Sequence, residues 1–290
     1  MSTIPQCDTV LAEYINTVVC EDGYSLCYRF WPTSGSTAGT MILVNGMMSH
    51  SGWFRELAHL LTGLQLDVVG ADRRGSGLNQ AARGDAPSRQ MLLSDLRRII
   101  ENEDRGLPIY LVGWCWGALP VVNLALELGS KLRGLVLLAP GLFPSPEVKR
   151  AAEEQLIAWH NADPHCLVLR SPLTAEMFSE RAKVREFILN DDLAQRIFTP
   201  RFFCVTGEMS LIATVRLPRL TQPLLVLLAG NDVTADNERT LRAFQRLARG
   251  SLTTATLACH HGMPFEVPRE IVMRISQWLP PSSGVENRPI

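Results

Sequence analysis

The sequence is short of several things, and each shortage removes a class of function. It has almost no charge imbalance, with 28 Lys and Arg against 29 Asp and Glu, a net −1. No long-range field of one sign would draw such a chain to nucleic acid or to an anionic membrane. It lacks a long apolar run. Leu135–Ala139 and Leu224–Ala229 are the longest, far below the roughly 20 residues needed to span a bilayer. The start, Met1 to Val10, has neither a basic region nor an apolar stretch, so no secretory leader is expected. The 7 cysteines include no Cys-x-x-Cys pair and no framework spacing, which points to free thiols in a reducing cytoplasm. No membrane or nucleic-acid partner is expected.

What is present is an ordinary globular composition, 46% hydrophobic and 20% charged over 290 residues, a length suited to one main domain with an insertion. Short apolar runs alternate with amphipathic stretches. Thr17–Cys20 and Tyr24–Trp31 read as strands around a turn at Asp22-Gly23, followed by strands at Thr40–Asn45, Asp67–Ala71, Ile109–Trp114 and Leu132–Ala139. Helical spacing falls over Ser51–Leu61, Pro87–Ile100 and Trp116–Leu128. The rhythm breaks between 141 and about 220, where helical pieces, prolines and aromatics replace clear strands. It resumes with strands Pro223–Ala229 and Thr254–Cys259 and helices Asn237–Ala248 and Val267–Leu279. Alternation of this kind predicts an α/β fold, a mostly parallel sheet flanked by helices. The expected organisation is a core over 1–140, a helical cap over 141–220, a second core part over 221–280 and a tail over 281–290, expected to be disordered.

The chemistry concentrates at Gly113-Trp114-Cys115-Trp116-Gly117, which follows an apolar strand and opens a helix. That is the setting of a nucleophile elbow, G-x-S-x-G, with cysteine in the serine position. The glycines let strand and helix approach closely. The helix N-terminus favours developing negative charge. The competing reading is a buried structural cysteine, which suits Cys7, Cys20, Cys27, Cys166 and Cys204. A free thiol has a pKa near ~8.5 and needs a base. Asp232 stands just after strand Pro223–Ala229, and Asp236 four residues later beside a helix start, where it would serve as an N-cap. His260 and His261 both follow the last strand, whereas His50, His59, His160 and His165 read as surface or cap residues. A metal at His260, His261 and Cys259 is disfavoured, since adjacent side chains diverge. No cofactor is called for. Asp72-Arg73-Arg74-Gly75-Ser76-Gly77 matches no phosphate-binding pattern and reads as a structured turn beside the active-site edge.

Over nearly its full length the chain resembles the α/β-hydrolase superfamily. Val44-Asn45-Gly46-Met47-Met48 looks like the His-Gly loop of monoacylglycerol-lipase-like hydrolases, with Asn45 where histidine is usual. Asp72–Gly77 is similar to their Asp-x-Arg-Gly-x-Gly loop. Gly230-Asn231-Asp232 and His261 through Pro268 match the acid and histidine segments. The G-x-C-x-G box also resembles thioesterases, dienelactone hydrolases and polyhydroxyalkanoate synthases. The resemblance favours His261 over His260 and implies a triad of Cys115, Asp232 and His261, with the Met47 and Trp116 N–H groups as an oxyanion hole.

Because thiol–thioester exchange is nearly isoenergetic, the cysteine suggests acyl transfer through a cysteinyl thioester. The acyltransferase or thioesterase substrate would be a small acyl thioester or activated ester, free or linked to a carrier or coenzyme A. Hydrolysis of esters, lactones or C–C bonds with water as acceptor is the alternative, and a non-catalytic binding protein the third. Phe143, Trp159, Leu167, Phe178, Phe187, Ile188, Phe198, Phe202 and Phe203 crowd the 141–220 segment. As a set they are expected to wall an apolar, water-poor pocket over Cys115.

Overall fold

The computed structural model describes residues 12–158, 165–166 and 168–280. The expectations for the leader region, Cys7, Trp159, His160, Leu167 and the tail lie outside them.

Strands β1 (Tyr14–Val19) and β2 (Ser25–Trp31) form an antiparallel hairpin. Its turn needs Gly23, which sits at φ 82°, a conformation open to glycine at little steric cost. Next come β3 (Gly39–Val44), α1 (Arg55–Thr62), β4 (Leu66–Ala71), α2 (Arg89–Glu103), β5 (Ile109–Trp114), α3 (Ala118–Leu128) and β6 (Gly134–Leu138). Between β6 and the next core strand lie α4 (Pro146–Ala158), β7 (Leu169–Arg170), α5 (Ala175–Phe178), α6 (Ala182–Asn190), β8 (Ile197–Phe198) and α7 (Pro200–Arg216). The core closes with β9 (Leu224–Ala229), α8 (Asn237–Leu247), β10 (Leu252–Leu257), α9 (Met263–Glu266) and α10 (Pro268–Trp278).

Eight strands form one sheet in the order β1-β2-β4-β3-β5-β6-β9-β10, parallel from β4 to β10. This is the α/β-hydrolase fold. Every residue of β3, β4, β5, β6 and β9 is buried, as expected for strands covered on both faces. Each of their Leu, Ile and Val side chains contributes roughly 1.5–3 kcal/mol by burial. The connections run outward from the β3–β5 pair, so strand order reverses there. Ligand crevices form at such points, beyond the carboxyl ends of the strands. The pairing of Val44 with Gly113 puts the chain leaving β3 directly beside the chain leaving β5.

Helix ends follow local chemistry. Ser88 accepts a hydrogen bond from Met91 N at the start of α2, and Thr199 from Phe202 N at the start of α7. Asp236 accepts one from Arg239 N at 2.8 Å, the N-cap role expected of it.

Several expectations need correction. The helices read from Ser51 and Trp116 begin with 3-10 turns at Ser51–Phe54 and Cys115–Gly117. The segment between β6 and β9 holds two strands of two residues each, paired antiparallel, too short to leave a period in the sequence. Cys20 and Cys259 are buried, and that burial is the main influence pushing both thiols up to about 12. Cys166 and Cys204, however, are exposed.

Candidate active site

Cys115 caps β5 on a turn that strains its backbone. Its φ is 56°, unusual for a residue with a side chain, and strain of this kind concentrates at functional sites. The turn is possible because its neighbours lack side chains. A Cβ on Gly113 would lie 2.7 Å from Ala118 Cα, and one on Gly117 would lie 2.7 Å from Asn45 O. The elbow thus presses α3 against β5 and against the end of β3. A Cβ on Gly46 would come within 3.1 Å of Cys115 Cβ and 3.6 Å of its Sγ, so the loop after β3 passes immediately beside the thiol. Among the described residues neither Met47 N–H nor Trp116 N–H is engaged in a turn or side-chain hydrogen bond. The carbonyl of Asn45's neighbour Gly46 accepts from Asn45 Nδ2 at 3.1 Å. Asn45, buried at the position where the superfamily usually has histidine, also donates to Ser49 O.

His261 is the histidine brought into this site. Its side chain is wholly buried, as is that of Asp232, and Nδ1 lies 2.8 Å from Asp232 Oδ2. Asp232 Oδ1 accepts from Thr234 N at 2.7 Å and Thr234 Oγ1 at 2.8 Å. Burial opposes ionisation of Asp232, but the His261 charge and these hydrogen bonds outweigh it and hold its pKa below the usual carboxylate value. Burial likewise opposes the imidazolium. The neighbouring Cys115 and the Asp232 carboxylate overcome it, and the His261 pKa lies well above its ordinary value. Nε2 of His261 is buried without a hydrogen bond to any described residue, leaving that nitrogen available beside Cys115. Trp114 Nε1 donates to the His261 backbone carbonyl at 3.0 Å and the Phe178 ring packs 5.3 Å from the imidazole, so backbone and ring are each held. His260 is turned elsewhere, with Nδ1 3.1 Å from Glu266 Oε2.

The thiol faces an apolar cavity of about 240 Å³. Met47, Trp116 and Thr234 form its floor with Cys115, and Leu119, Val148, Leu173 and Phe203 are among its walls. Residues of α4 and α7 line this cavity together with Cys115. Among the described residues of the set expected to wall it, Phe203 alone lines the cavity. Phe178 and Phe187 pack on Trp53, 5.7 and 6.0 Å away, and Phe198 stacks on Phe202 at 4.5 Å. Phe178 and Phe187 thus join the segment to the core, whereas the Phe198–Phe202 contact lies within the segment. Trp53 and Trp114 are core residues, while Trp116 lines the cavity.

Two polar connections were missed in the sequence. His50 is buried, not superficial, with Nε2 2.9 Å from Asp191 Oδ2, and Trp53 Nε1 donates to the same oxygen at 2.5 Å. Asp191 follows α6, so this links the segment to the loop after β3. Arg73, in the turn set aside as structural, donates to the carbonyls of Gly46 and Met47. No sequence spacing relates Asp191 to His50, 141 positions apart.

The sequence and fold have known counterparts. The model of a hydrolase family described as "Serine aminopeptidase, S33" matches residues 35–268. The chain belongs to that family. Unlike the serine in the family's description, the elbow residue of this S33 member is Cys115. The chain is 25% identical to human monoglyceride lipase over 276 residues, 90% of this chain and 89% of the relative. Among solved structures, a monoglyceride lipase from Saccharomyces cerevisiae, in complex with a substrate analog, superposes with a TM-score of 0.81 at 16% identity. The two chains are covered to 97% and 99%. The monoacylglycerol lipase of Paleococcus ferrophilus gives 0.75 at 23% identity, with coverage of 87% of this chain and 97% of that one. No described helix is long and apolar enough to cross a membrane.

Proposed function

We propose that the protein hydrolyses carboxylic esters of small apolar acids through a covalent intermediate on Cys115, under a cap formed by residues 141–220. The observation that carries this reading is the convergence of a strained Cys115, a buried His261–Asp232 pair and an apolar cavity at one sheet edge. His261 Nε2 takes the thiol proton, and Cys115 Sγ bonds to the ester carbonyl carbon. The carbonyl π pair moves to oxygen, where the Met47 and Trp116 N–H groups hold it. The intermediate collapses, the C–O bond to the alcohol breaks, and His261 returns the proton to the leaving oxygen. Water, deprotonated by His261, then attacks the thioester, releasing the acid and restoring the thiol. Asp232 keeps the imidazole oriented throughout.

The transfer reading expected from the cysteine yields to hydrolysis, because the relatives are named as lipases and monoglycerides stand in those names. A carrier or coenzyme A handle has no such support. The cavity is smaller than the roughly 300–1,000 Å³ of drug-sized ligand sites, which favours a short acyl group. Lys149 and Glu153, both more than half exposed, mark its outer rim.

Product analysis tests the reading. Purified protein is given short-chain monoacylglycerols and p-nitrophenyl esters, with and without added glycerol or primary amine. Free acid as the main product, at a rate indifferent to the added acceptor, is expected. An acylated acceptor as the main product would restore the transferase reading, and no turnover of any ester would remove both.

A further inference from the structure

Arg73 has an unusual environment for a guanidinium. Nη1 donates to Gly46 O at 3.1 Å and Nη2 to Met47 O at 2.6 Å. Its charge sits 5.0 Å from the Trp116 ring centre and 5.2 Å from that of Phe202. No described carboxylate forms an ion pair with it, whereas the adjacent Arg74 is matched by Asp95 and Asp22. Burial, the largest influence, pushes the Arg73 pKa down to about 9, which still leaves a cation at neutral pH. Arg73 is half-buried, and the nearby Asp72 favours its charge without forming an ion pair, so backbone carbonyls and aromatic faces take the place of a carboxylate around a partly desolvated cation.

The carbonyl that Arg73 holds belongs to a particular peptide. Gly46 C=O and Met47 N–H are the two ends of one planar unit and point in opposite directions when it is trans. No described peptide is cis. A cation at the oxygen draws electron density toward it and makes the N–H at the far end a stronger donor. That N–H is the one assigned to the oxyanion, beside Cys115. Asn45 Nδ2 donates to the same Gly46 oxygen and acts in the same direction.

We propose that Arg73 is a positioning residue which charges the oxyanion hole through the Gly46–Met47 peptide, favouring the anionic intermediate over the bound ester. This rests on Cys115 being the nucleophile. The role differs from that of a plain clamp, because it acts only when the carbonyl oxygen carries charge.

The test compares the unaltered protein with Arg73→Met and Arg73→Lys. Measured for each are kcat and KM on p-nitrophenyl butyrate, and affinities for an alkyl trifluoromethyl ketone and for the matching secondary alcohol. The ketone reports the charged state, since Cys115 Sγ bonds to its carbonyl carbon, the π pair moves to oxygen and the thiol proton passes to His261. The alcohol reports uncharged binding. In Arg73→Met, kcat and ketone affinity are expected to fall together by roughly 10–100-fold, less than the ~10²–10³ for loss of a whole donor. KM and alcohol affinity should stay within about twofold, and Arg73→Lys should recover part of the loss in kcat. Unchanged kcat, or equal weakening of ketone and alcohol, overturns the proposal. If Arg73→Met does not fold, Arg73→Lys decides: an equal loss for ketone and alcohol overturns it, and a loss confined to kcat and the ketone supports it. No ketone adduct on Cys115 of the unaltered protein overturns the nucleophile reading and this inference with it. An adduct whose affinity ignores Arg73 overturns this inference alone.

Discussion

The Thr234 hydroxyl lies 2.8 Å from His261 Nδ1, the ring nitrogen that also meets Asp232 Oδ2 at 2.8 Å. The same hydroxyl is 2.8 Å from Asp232 Oδ1. It can donate to the carboxylate while its oxygen faces Nδ1–H, which fixes that proton on Nδ1 and leaves Nε2 as the nitrogen that exchanges a proton with Cys115. Thr234→Val keeps the shape and removes the hydroxyl. It should lower kcat roughly tenfold, equivalent to about 1.4 kcal/mol, with little change in KM, and Thr234→Ser should restore most of it. Steady-state kinetics of the two variants checks this, and an active Thr234→Val would assign the hydroxyl to packing alone.

The triad assignment predicts graded losses. Cys115→Ala and His261→Ala should each cost on the order of 10⁶ in turnover, as in comparable triads, and Asp232→Asn clearly less. His260→Ala should keep near-normal turnover, because His260 is held by Glu266 away from the thiol. A dead His260→Ala beside an active His261→Ala would reverse the choice of base.

Gly117 was legible as a steric requirement, and the structure makes it quantitative. A Cβ there would meet Val44 O and Asn45 O more closely than van der Waals contact allows. Gly117→Ala should therefore force the elbow apart, costing about 1–3 kcal/mol as overpacking does and depressing activity as well. Urea unfolding measures the first effect. A variant as stable as the unaltered protein would show that the elbow has slack.

The sequence carried the parts of this site that depend on local rules. Continuous apolar runs marked β3, β5, β6 and β9, since strands buried on both faces have no polar side to show. The glycines flanking Cys115 marked the elbow because only they fit its turn. The candidate acid and both candidate histidines follow strands at the same sheet edge, while the preference for His261 over His260 came from the family resemblance. Contacts made across the fold left no such trace. Arg73 reaches the loop after β3 from 26 and 27 positions away. The partner of His50, Asp191, lies 141 positions away in the chain. The aromatics between β6 and β9 announced packing, but their composition was silent on whether they face the cavity or the core.

Asp191 offers a pH test of the join between that segment and the core. Burial disfavours its charge, but hydrogen bonds from His50 and Trp53 prevail and bring its pKa down to about 2, from an ordinary 3.8. A depressed pKa means the folded state binds this proton less readily than the unfolded one. Its stabilisation is thus complete above the ordinary value and lost as pH falls toward about 2. Asp191→Asn should destabilise the protein at neutral pH by roughly 1–3 kcal/mol, as for a buried partner removed. The gap to the unaltered protein should narrow as pH drops below about 4. Thermal unfolding across a pH series checks both, and a gap constant with pH would show that charge at Asp191 does not matter.

The central claim, a covalent acyl-enzyme on Cys115, is tested most directly by intact-protein mass spectrometry with peptide mapping. The protein is quenched in acid within its first turnovers of p-nitrophenyl butyrate. The account predicts a mass increase of one butyryl group, mapped to Cys115, reversed by hydroxylamine and absent from Cys115→Ala. A butyryl group mapped to another residue, or ester turnover that persists undiminished in Cys115→Ala, would contradict it.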